Sequence, residues 1–399
     1  MIDIEQASEI VLANSRDPGT EKVPLRRAVG RVLAETIRAD RDFPPFDRVT
    51  MDGISVAHSA FAQKGIRTFP IQDTQAAGSP QLTLQDPTHC MEVMTGAVLP
   101  KGTDTVIRYE DLDIKDGLAT VNLDELKKGQ NVHGQGEDRH EGEGIMEPGI
   151  LLSPAEIGVA ATVGKSILTV RRMPQAVIIS TGDELVEVDE TPEPHQIRSS
   201  NAHTIRTTLE RWGMPADLLH LADDPEHIKK ELQHCLQKYD AILMSGGVSK
   251  GKFDYIPEAL TALGVEKLFH RVKQRPGKPF WFGCWQEKCT IFALPGNPVS
   301  SFMCTHRYVG PWLRASLGLE PYAYDYAALD QDFHFRPDLT YFLQVKVEYA
   351  RDGLQRAIPV EGHGSGDLAN LVDADGFLEL PHGRDFFRAG ELFPLIVYR

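Results

Sequence analysis

Basic residues are concentrated between Arg271 and Lys278, in a chain whose 42 Lys and Arg against 57 Asp and Glu give a net charge of −15. The Pro276-Gly277 pair is a turn signal that would hold Arg275 and Lys278 as neighbouring cations. Fixed cations suit an anion site, although a solvated edge has the same composition. A local cluster of positive charge in an otherwise acidic chain predicts a small anionic ligand and argues against nucleic acid.

Carboxylates are the second group of residues that could do chemistry. Asp183 and Glu184 follow one apolar run, and Asp254 follows another. Loops after neighbouring parallel strands meet at one edge of a sheet, so these acids are expected within reach of one Mg²⁺. Asp52 and Asp138 are further acids in turn-like segments. Taken singly, each acid also has a structural explanation, such as a helix N-cap or a tight turn.

A glycine-rich segment that includes Gly246, Gly247 and Ser249 lies between a predicted strand and a predicted helix. Its spacing resembles a phosphate-binding P-loop, but Phe253 stands where that loop needs Ser or Thr to hold Mg²⁺. A plain strand-to-helix turn is one interpretation. We favour an anion-binding loop that uses exposed backbone amides without nucleotide-hydrolysing chemistry.

The elements that would position these residues follow from hydrophobic periodicity. Apolar runs at 176–179, 241–244 and 290–294 alternate with helical patterns, which predicts a parallel sheet with covering helices. Asp224 and Pro225 read as the cap and first residue of one such helix. Residues 4–11 predict a short helix, and 31–38 predict a half-buried strand. Segments at about 51–132 and after 321 have short, alternating runs typical of β-rich domains.

Composition limits the class of protein further. No apolar stretch approaches the roughly 18 residues that span a bilayer, and the first residues lack the pattern of a signal peptide, which predicts a cytoplasmic protein with no membrane contact. The five cysteines form no C-x-x-C pair, so we expect ordinary thiols and neither disulfides nor a zinc site.

Several motifs in order along the chain resemble one family, the molybdopterin molybdenumtransferases, which includes the E domain of gephyrin. The motifs span nearly the whole chain, and together they are more specific than any one of them. They are Pro44-Pro45-Phe46-Asp47 with Met51-Asp52-Gly53, Met94-Thr95-Gly96-Ala97, Gly136-Glu137-Asp138, Ser180 to Leu185, Ser245 to Ser249 with Asp254-Tyr255, Pro276-Gly277-Lys278-Pro279, Leu294 to Ser300, and Gly364-Ser365-Gly366.

The resemblance implies an α/β plus β fold in which a molybdopterin-binding-like domain is joined to β-rich domains. The expected boundaries are a linking domain at 1–45 and 137–172, an inserted β-rich domain at 46–136, the α/β domain at 173–318 and a C-terminal β domain at 319–399. It also implies an elongated homodimer, in which the α/β domain of one subunit faces the β domains of the other. Molybdopterin adenylyltransferase and molybdoenzymes are the further partners expected.

The activity implied is insertion of molybdate into adenylylated molybdopterin, with Mg²⁺-dependent release of AMP. Asp52, Asp138, Glu184 and Asp254 would be active-site acids, with Glu184 and Asp254 as the metal ligands. Arg275 and Lys278 would complete the catalytic set. The residues expected to bind the substrates are Thr95, Gly246, Gly247, Ser249, Pro279, Pro295, Gly296, Asn297, Ser300 and Ser365.

Four positions depart from the family pattern. Arg275 stands where a lysine is common, which preserves the charge. Ser199 stands where an aspartate is usual, and Tyr341 and Gln344 stand where arginines are often found. Two other hypotheses therefore stay open at this point. One is an enzyme that adenylylates molybdopterin with a similar α/β module, and the other is a non-catalytic scaffold on the same fold.

Overall fold

The computed structural model describes residues 1–222, 224–246, 256–322, 325–351, 353–360, 362, 364 and 366–399. Three six-stranded sheets organise this part of the chain. Its helices are mostly short. They are Ile4–Ala13, His58–Ala62, Pro154–Thr162, Asn201–Arg211, Pro225–Lys238, Ile256–Ala262, Pro298–Cys304 and Gly310–Ser316, with a π-helical segment at Thr305–Val309 joining the last two.

The central α/β sheet has the strand order Ala216–Leu221, Ala176–Thr181, Ala241–Ser245, Cys289–Leu294, Trp281–Trp285, Glu266–His270. The first four strands are parallel: three of them are the predicted ones, and Ala216–Leu221 is a further parallel strand that the sequence analysis missed. The last two are antiparallel additions that the sequence analysis missed. A turn of three residues separates the strands Trp281–Trp285 and Cys289–Leu294, which is too short for a parallel crossover.

Both faces of this sheet are covered, which explains the uninterrupted apolar runs in its strands. Ala176 and Ile178 belong to one core, and Val177 and Ile179 belong to the core on the opposite face. The helix Pro225–Lys238 begins as predicted, because Asp224 accepts hydrogen bonds from the backbone amides of Glu226 and His227.

The β-rich segment forms its own six-stranded sheet. Its strand order is Thr105–Arg108, Gly53–Val56, Cys90–Val93, Thr68–Gln75, Leu118–Val121, Leu112–Lys115. These strands agree with the β-rich segment predicted at about 51–132. Two buried clusters, one around Ile54 and Phe69 and the other around Val49 and Met91, pack on the two faces of the sheet.

The linking segments pair two distant parts of the chain. Thr20–Pro24 pairs with Ile167–Arg171, and Ile37–Arg38 pairs with Gly144–Met146. The single strand predicted over 31–38 is wrong: Val32 and Leu33 form isolated bridges to different neighbours before the two-residue strand begins. Each apolar residue there pairs with a different segment, so the alternation does not extend one ladder.

The helix Ile4–Ala13 packs away from these linking segments. Its buried residues Ile4, Ala7 and Val11 belong to the core of the α/β domain. This packing joins the start of the chain to the α/β domain, and the expected domain boundaries stay predictions.

The third sheet lies in the C-terminal part of the chain. Its order is Gln274–Arg275, Thr340–Tyr349, Gln355–Pro359, Asp325–Leu329, Leu392–Val397, Gly376–Leu380, and Thr340–Tyr349 also pairs with Gly376–Leu380. The two-residue strand Gln274–Arg275 comes from the basic segment and pairs in parallel with Thr340 and Tyr341. This pairing joins the basic segment to the C-terminal domain.

Three short strand pairs complete the described structure. They are Arg48–Val49 with Val132–His133, Leu185–Val186 with Ile197–Arg198, and Phe333–His334 with Phe386–Phe387. Within the described residues no helix is both long and apolar enough to cross a membrane.

The five cysteines are buried and free, as predicted. Burial raises the pKa of Cys235 to about 11 and that of Cys90 to about 12, so both remain protonated thiols.

Candidate active site

A cavity of about 470 Å³ lies where the α/β domain meets the C-terminal sheet. The basic turn and the loop after the strand Cys289–Leu294 form one side, and the strand Thr340–Tyr349 with Val360, Gly362 and Gly364 contributes the rest. Six predicted site residues line it: Arg275, Lys278, Pro279, Pro295, Asn297 and Ser300. Tyr341 and Gln344, two of the departures from the family pattern, line the same cavity.

Buried hydrogen bonds hold the basic turn in place. Gln274 is fully buried, and its side-chain amide donates to the carbonyl of Gly277 at 2.9 Å. The buried Tyr308 hydroxyl donates to the Gln274 side-chain oxygen. Gly277 has φ +90°, and a Cβ atom there would lie 2.6 Å from the sulfur of Cys304. The turn therefore requires glycine, and its conformation is set by residues beneath it.

Arg275 and Lys278 are exposed to the cavity. Within the described part of the chain neither forms an ion pair with a carboxylate. The Arg275 guanidinium lies 5.9 Å from the ring centre of Phe335, and that ring stacks on Tyr341 with centroids 4.2 Å apart. Two cations that no described acid neutralises give the cavity a positive charge suited to an anion.

The loops at the carboxyl ends of the parallel strands converge, as the sequence predicts. The side-chain amide of Asn201 donates to the Ser245 hydroxyl at 2.9 Å and to the Gly296 carbonyl at 2.6 Å. A Cβ atom on Gly296 would lie 3.7 Å from the Cα of Gly246, so the two backbones are in close contact. Gly246 and Gly296 thus lie together at the sheet edge where α/β folds bind ligands.

The expected Mg²⁺ ligands are described only in part. Glu184 is exposed, and its carboxylate lies against Gly182, which follows the strand Ala176–Thr181. The backbone amide of Ser199 donates to the Val186 carbonyl at 2.9 Å. This hydrogen bond brings Ser199, one of the departures from the family pattern, near the loop that holds Glu184. The described residues hold no group of three or more His, Cys, Asp or Glu that could bind a metal. Four predicted site residues, Gly247, Ser249, Asp254 and Ser365, lie outside the described residues.

Asp52 lies in the β-rich domain, where Thr95 fixes its carboxylate. The Thr95 backbone amide and hydroxyl donate to the same Asp52 oxygen at 2.6 and 2.7 Å. These hydrogen bonds, the backbone one foremost, lower the pKa of Asp52 below its ordinary value. The Thr95 motif therefore orients an acid and keeps it ionised.

Asp138 is held by a histidine in a similar way. Arg48 can only donate, so its contact of 3.0 Å makes Nδ1 of His133 the acceptor. Nε2 of His133 then carries the hydrogen and donates to Asp138 at 3.1 Å. The pairing of Arg48–Val49 with Val132–His133 brings these three side chains together.

The predicted residues thus form two groups within one chain. The cavity group surrounds Arg275 and Lys278, and the acidic group contains Asp52 and Asp138. Among the described residues, the hydrogen bonds of the two acids all go to positions 43–139. Within the described part of the chain, no hydrogen bond or ion pair joins the cavity group to the acidic group.

Sequence reasoning missed the residues that support the site. Gln274 and Tyr308 give no sequence signal, because a buried polar pair has no periodicity or motif of its own. Asn201 could have been found, since it ends the segment Ile197 to Asn201 in which the departure at Ser199 was noted. Asn370 emerges only from its contact with Gln344, which is 26 positions away in the chain.

Comparisons with known proteins match three successive regions of the chain. Residues 2–164 match the MoeA N-terminal region (domain I and II), residues 177–315 match a probable molybdopterin binding domain, and residues 326–398 match the MoeA C-terminal region (domain IV). A molybdopterin molybdenumtransferase from Synechocystis is 42% identical over the full length of both chains. One from Staphylococcus epidermidis is 28% identical over 99% of this chain and 95% of its own.

Solved structures give the same result. The crystal structure of a molybdopterin biosynthesis protein, moeA, from Pyrococcus horikoshii OT3 matches all of both chains with a TM-score of 0.83 and 28% identity. Fold, cavity and matched regions together define a multidomain protein of molybdenum cofactor biosynthesis. The chain belongs to the molybdopterin molybdenumtransferase family, which confirms the resemblance seen in the sequence. It is therefore a member of a transferase family, and the fold class predicted for it is confirmed.

Proposed function

We propose that this protein inserts molybdate into adenylylated molybdopterin and releases AMP in a Mg²⁺-dependent step. The observation that carries the proposal is the cavity in which Arg275, Lys278 and Ser300 face one space beside the converging strand ends. Molybdate is a tetrahedral dianion, and two fixed cations with hydroxyl and amide donors match its charge and its acceptors.

Each residue of the cavity has a distinct part in this proposal. Arg275 and Lys278 bind and orient the dianion, and the buried Gln274 keeps their turn in place. Ser300, which is 3% exposed, lines the wall of the cavity. Gly246 and Gly296 leave room for the substrate to approach the backbone at the sheet edge. Fixed positions of this kind favour reaction because the groups need not reorganise when charge develops.

Mg²⁺ fits this site if the substrate supplies most of its ligands. Proteins usually hold Mg²⁺ through one or two carboxylates together with substrate phosphates and water. Glu184, with Asp254, would be those carboxylates, and the described residues offer no larger set. When bound, the ion would offset the charge that develops on the phosphate of the departing AMP.

We also propose that the active unit is a homodimer. Asp52 and Asp138 are ordered by their neighbours yet have no described contact with the cavity of their own subunit. In a twofold dimer, the acids of one subunit can face the cavity of the other, which gives two equivalent sites. Molybdopterin adenylyltransferase, which would supply the substrate, and molybdoenzymes, which would receive the product, are the proposed further partners.

The test is a turnover assay with adenylylated molybdopterin, Mg²⁺ and molybdate, in which AMP is followed by chromatography. We expect AMP release to require the protein and both ions. Glu184→Gln should lower the rate by more than about tenfold, because it removes charge without changing shape. Glu187→Gln, an exposed residue on the same loop, is the matched control.

Two results would count against the proposal. One is an absence of AMP release by the wild-type protein when adenylylated molybdopterin, Mg²⁺ and molybdate are all present. The other is formation of adenylylated molybdopterin from ATP and molybdopterin, which would favour the adenylyltransferase hypothesis.

A further inference from the structure

Gln344 is a polar residue of the cavity to which no role has been given so far. It lies on the strand Thr340–Tyr349, is half-buried, and lines the same space as Arg275 and Lys278. Its side chain presents an uncharged amide to the cavity, beside two cations.

The Gln344 side chain is held in one orientation. The side-chain amide of Asn370 donates to Oε1 of Gln344 at 3.0 Å. Asn370 is itself 7% exposed and belongs to the 3₁₀ helix Leu368–Val372. Gly362 closes over it, since a Cβ atom there would lie 2.5 Å from the Asn370 nitrogen. Because Oε1 accepts the hydrogen bond from Asn370, the NH₂ group of Gln344 can donate to a ligand in the cavity.

The charge of the cavity makes a neutral donor sufficient. Among the described lining residues, Arg275 and Lys278 are cations and none is a carboxylate. Their two charges already balance those of a dianion. A third group needs only to donate a hydrogen bond to an oxygen that the cations leave unpaired, and an amide does so without further charge.

We propose that Nε2 of Gln344 donates a hydrogen bond to an oxygen of the bound oxyanion and that Asn370 positions this donor. The proposal rests on the proposed function, because it takes molybdate as the anion. Gln344 is then a binding residue that contacts substrate, whereas Asn370 is a positioning residue that acts through it. The cavity would recognise its anion with two charges and an oriented dipole.

The experiment measures binding of molybdate alone by isothermal titration calorimetry. Gln344→Glu keeps the size of the side chain but presents an anion, and it should weaken binding by more than about tenfold. Asn370→Asp should also weaken binding about tenfold, because a carboxylate cannot donate to Oε1 and instead attracts the NH₂ group away from the cavity. Glu348→Gln, an exposed change on the same strand, is the control and should bind like the wild type.

A second protein, already changed at Gln344, distinguishes the positioning role of Asn370 from the negative charge that Asn370→Asp adds. In a Gln344→Met protein, Asn370→Asp should cause little further loss, because the donor that it turns away is already absent. In turnover assays, Asn370→Asp should raise the KM for molybdate and leave kcat at saturating molybdate nearly unchanged. Thermal unfolding checks that each variant folds, and Gln344→Met against the wild type tests the donor even if Asn370→Asp does not fold.

The outcomes distinguish this inference from the function on which it rests. If the wild type binds molybdate and releases AMP but the Gln344 variants bind equally well, the inference is wrong and the proposed function stands. Equal losses from Asn370→Asp in both backgrounds would show that Asn370 does not act through Gln344. A wild type that neither binds molybdate nor releases AMP would overturn both.

Discussion

The cavity and the acidic group hold their charges in opposite ways. Arg275 and Lys278 lack described acidic partners, and their turn is fixed from below by the buried Gln274. Asp52 and Asp138 are exposed, and each is fixed at its carboxylate by a donor from Thr95 or His133. The first arrangement leaves positive charge for a ligand, and the second orients negative charge without neutralising it. The cavity therefore supplies positive charge, and the acidic group supplies negative charge.

This contrast bears on how the site is assembled. A phosphoanhydride with a metal ion and an oxyanion needs cations and acids around the same atoms. One subunit carries both groups but gives them no described contact with each other. We therefore regard the separation of the cavity group from the acidic group as the central structural feature of this protein.

The largest effect is expected on the cationic side. Arg275→Ala and Lys278→Ala should each weaken molybdate binding by about 2 kcal/mol, well beyond the roughly 0 to 1 kcal/mol of an ordinary surface charge. Calorimetric titration with molybdate measures the change. Lys267→Ala removes an exposed lysine from an edge strand of the α/β sheet and serves as the control. Equal affinity in all four proteins would show that the basic turn is only a solvated edge.

An effect of similar size, on stability, should follow from changing the turn beneath these cations. Gly277→Ala forces a side chain into left-handed backbone and against Cys304, so we expect about 2 kcal/mol lower stability in urea unfolding. Gly19→Ala has a similar φ of +88° but meets no atom within 4 Å, so it isolates the backbone cost of about 1 kcal/mol. Molybdate affinity should fall only in Gly277→Ala. An equal loss of affinity in both variants would contradict the role of the turn.

The smallest effect concerns the acidic side. The pKa of Asp52 is lowered from its ordinary value of 3.8, so the stability that its hydrogen bonds contribute is present above that pH and is lost as pH falls through the lower value. Thr95→Val removes the hydroxyl donor but keeps the backbone donor, which should move the pKa part of the way back. Carboxyl resonances followed by NMR during a pH titration measure this shift.

A matched pair elsewhere in the same domain supplies the control. Thr88 donates its backbone amide and hydroxyl to Asp86 and lowers the pKa of that acid in the same way. Thr88→Val should move the pKa of Asp86 and leave that of Asp52 unchanged. If Thr95→Val leaves Asp52 unchanged as well, the hydroxyl of Thr95 does not hold the acid.

The sequence predicts the two groups unequally. Arg275, Lys278 and the converging loops follow from turn signals and from the rule that parallel strands end at one edge of a sheet. The supports of the cavity do not follow, because Gln274, Tyr308 and Asn370 act through tertiary contacts that leave no local pattern. The antiparallel edge of the α/β sheet was also missed, because the direction of a strand is set by its pairing and not by its local composition.

The acidic group could be given a functional role only through the family motifs. Asp52 and Asp138 lie in turns, and composition there does not distinguish a catalytic acid from a turn residue. Their hydrogen-bond partners, Thr95 and His133, are close in space but come from other strands or turns. The ordering of these acids becomes visible only once the strands are paired.

The most direct test of a shared site mixes two inactive variants. Arg275→Ala disables the cavity and Asp52→Asn disables the acid, so each homodimer alone should release little AMP. If the site combines groups from two subunits, a heterodimer of the variants contains one intact site and one doubly altered site. Subunits exchanged at equal amounts should then recover about a quarter of wild-type AMP release. If both groups served the same subunit's site, every site would carry one substitution, and the mixture would stay as inactive as the separate variants.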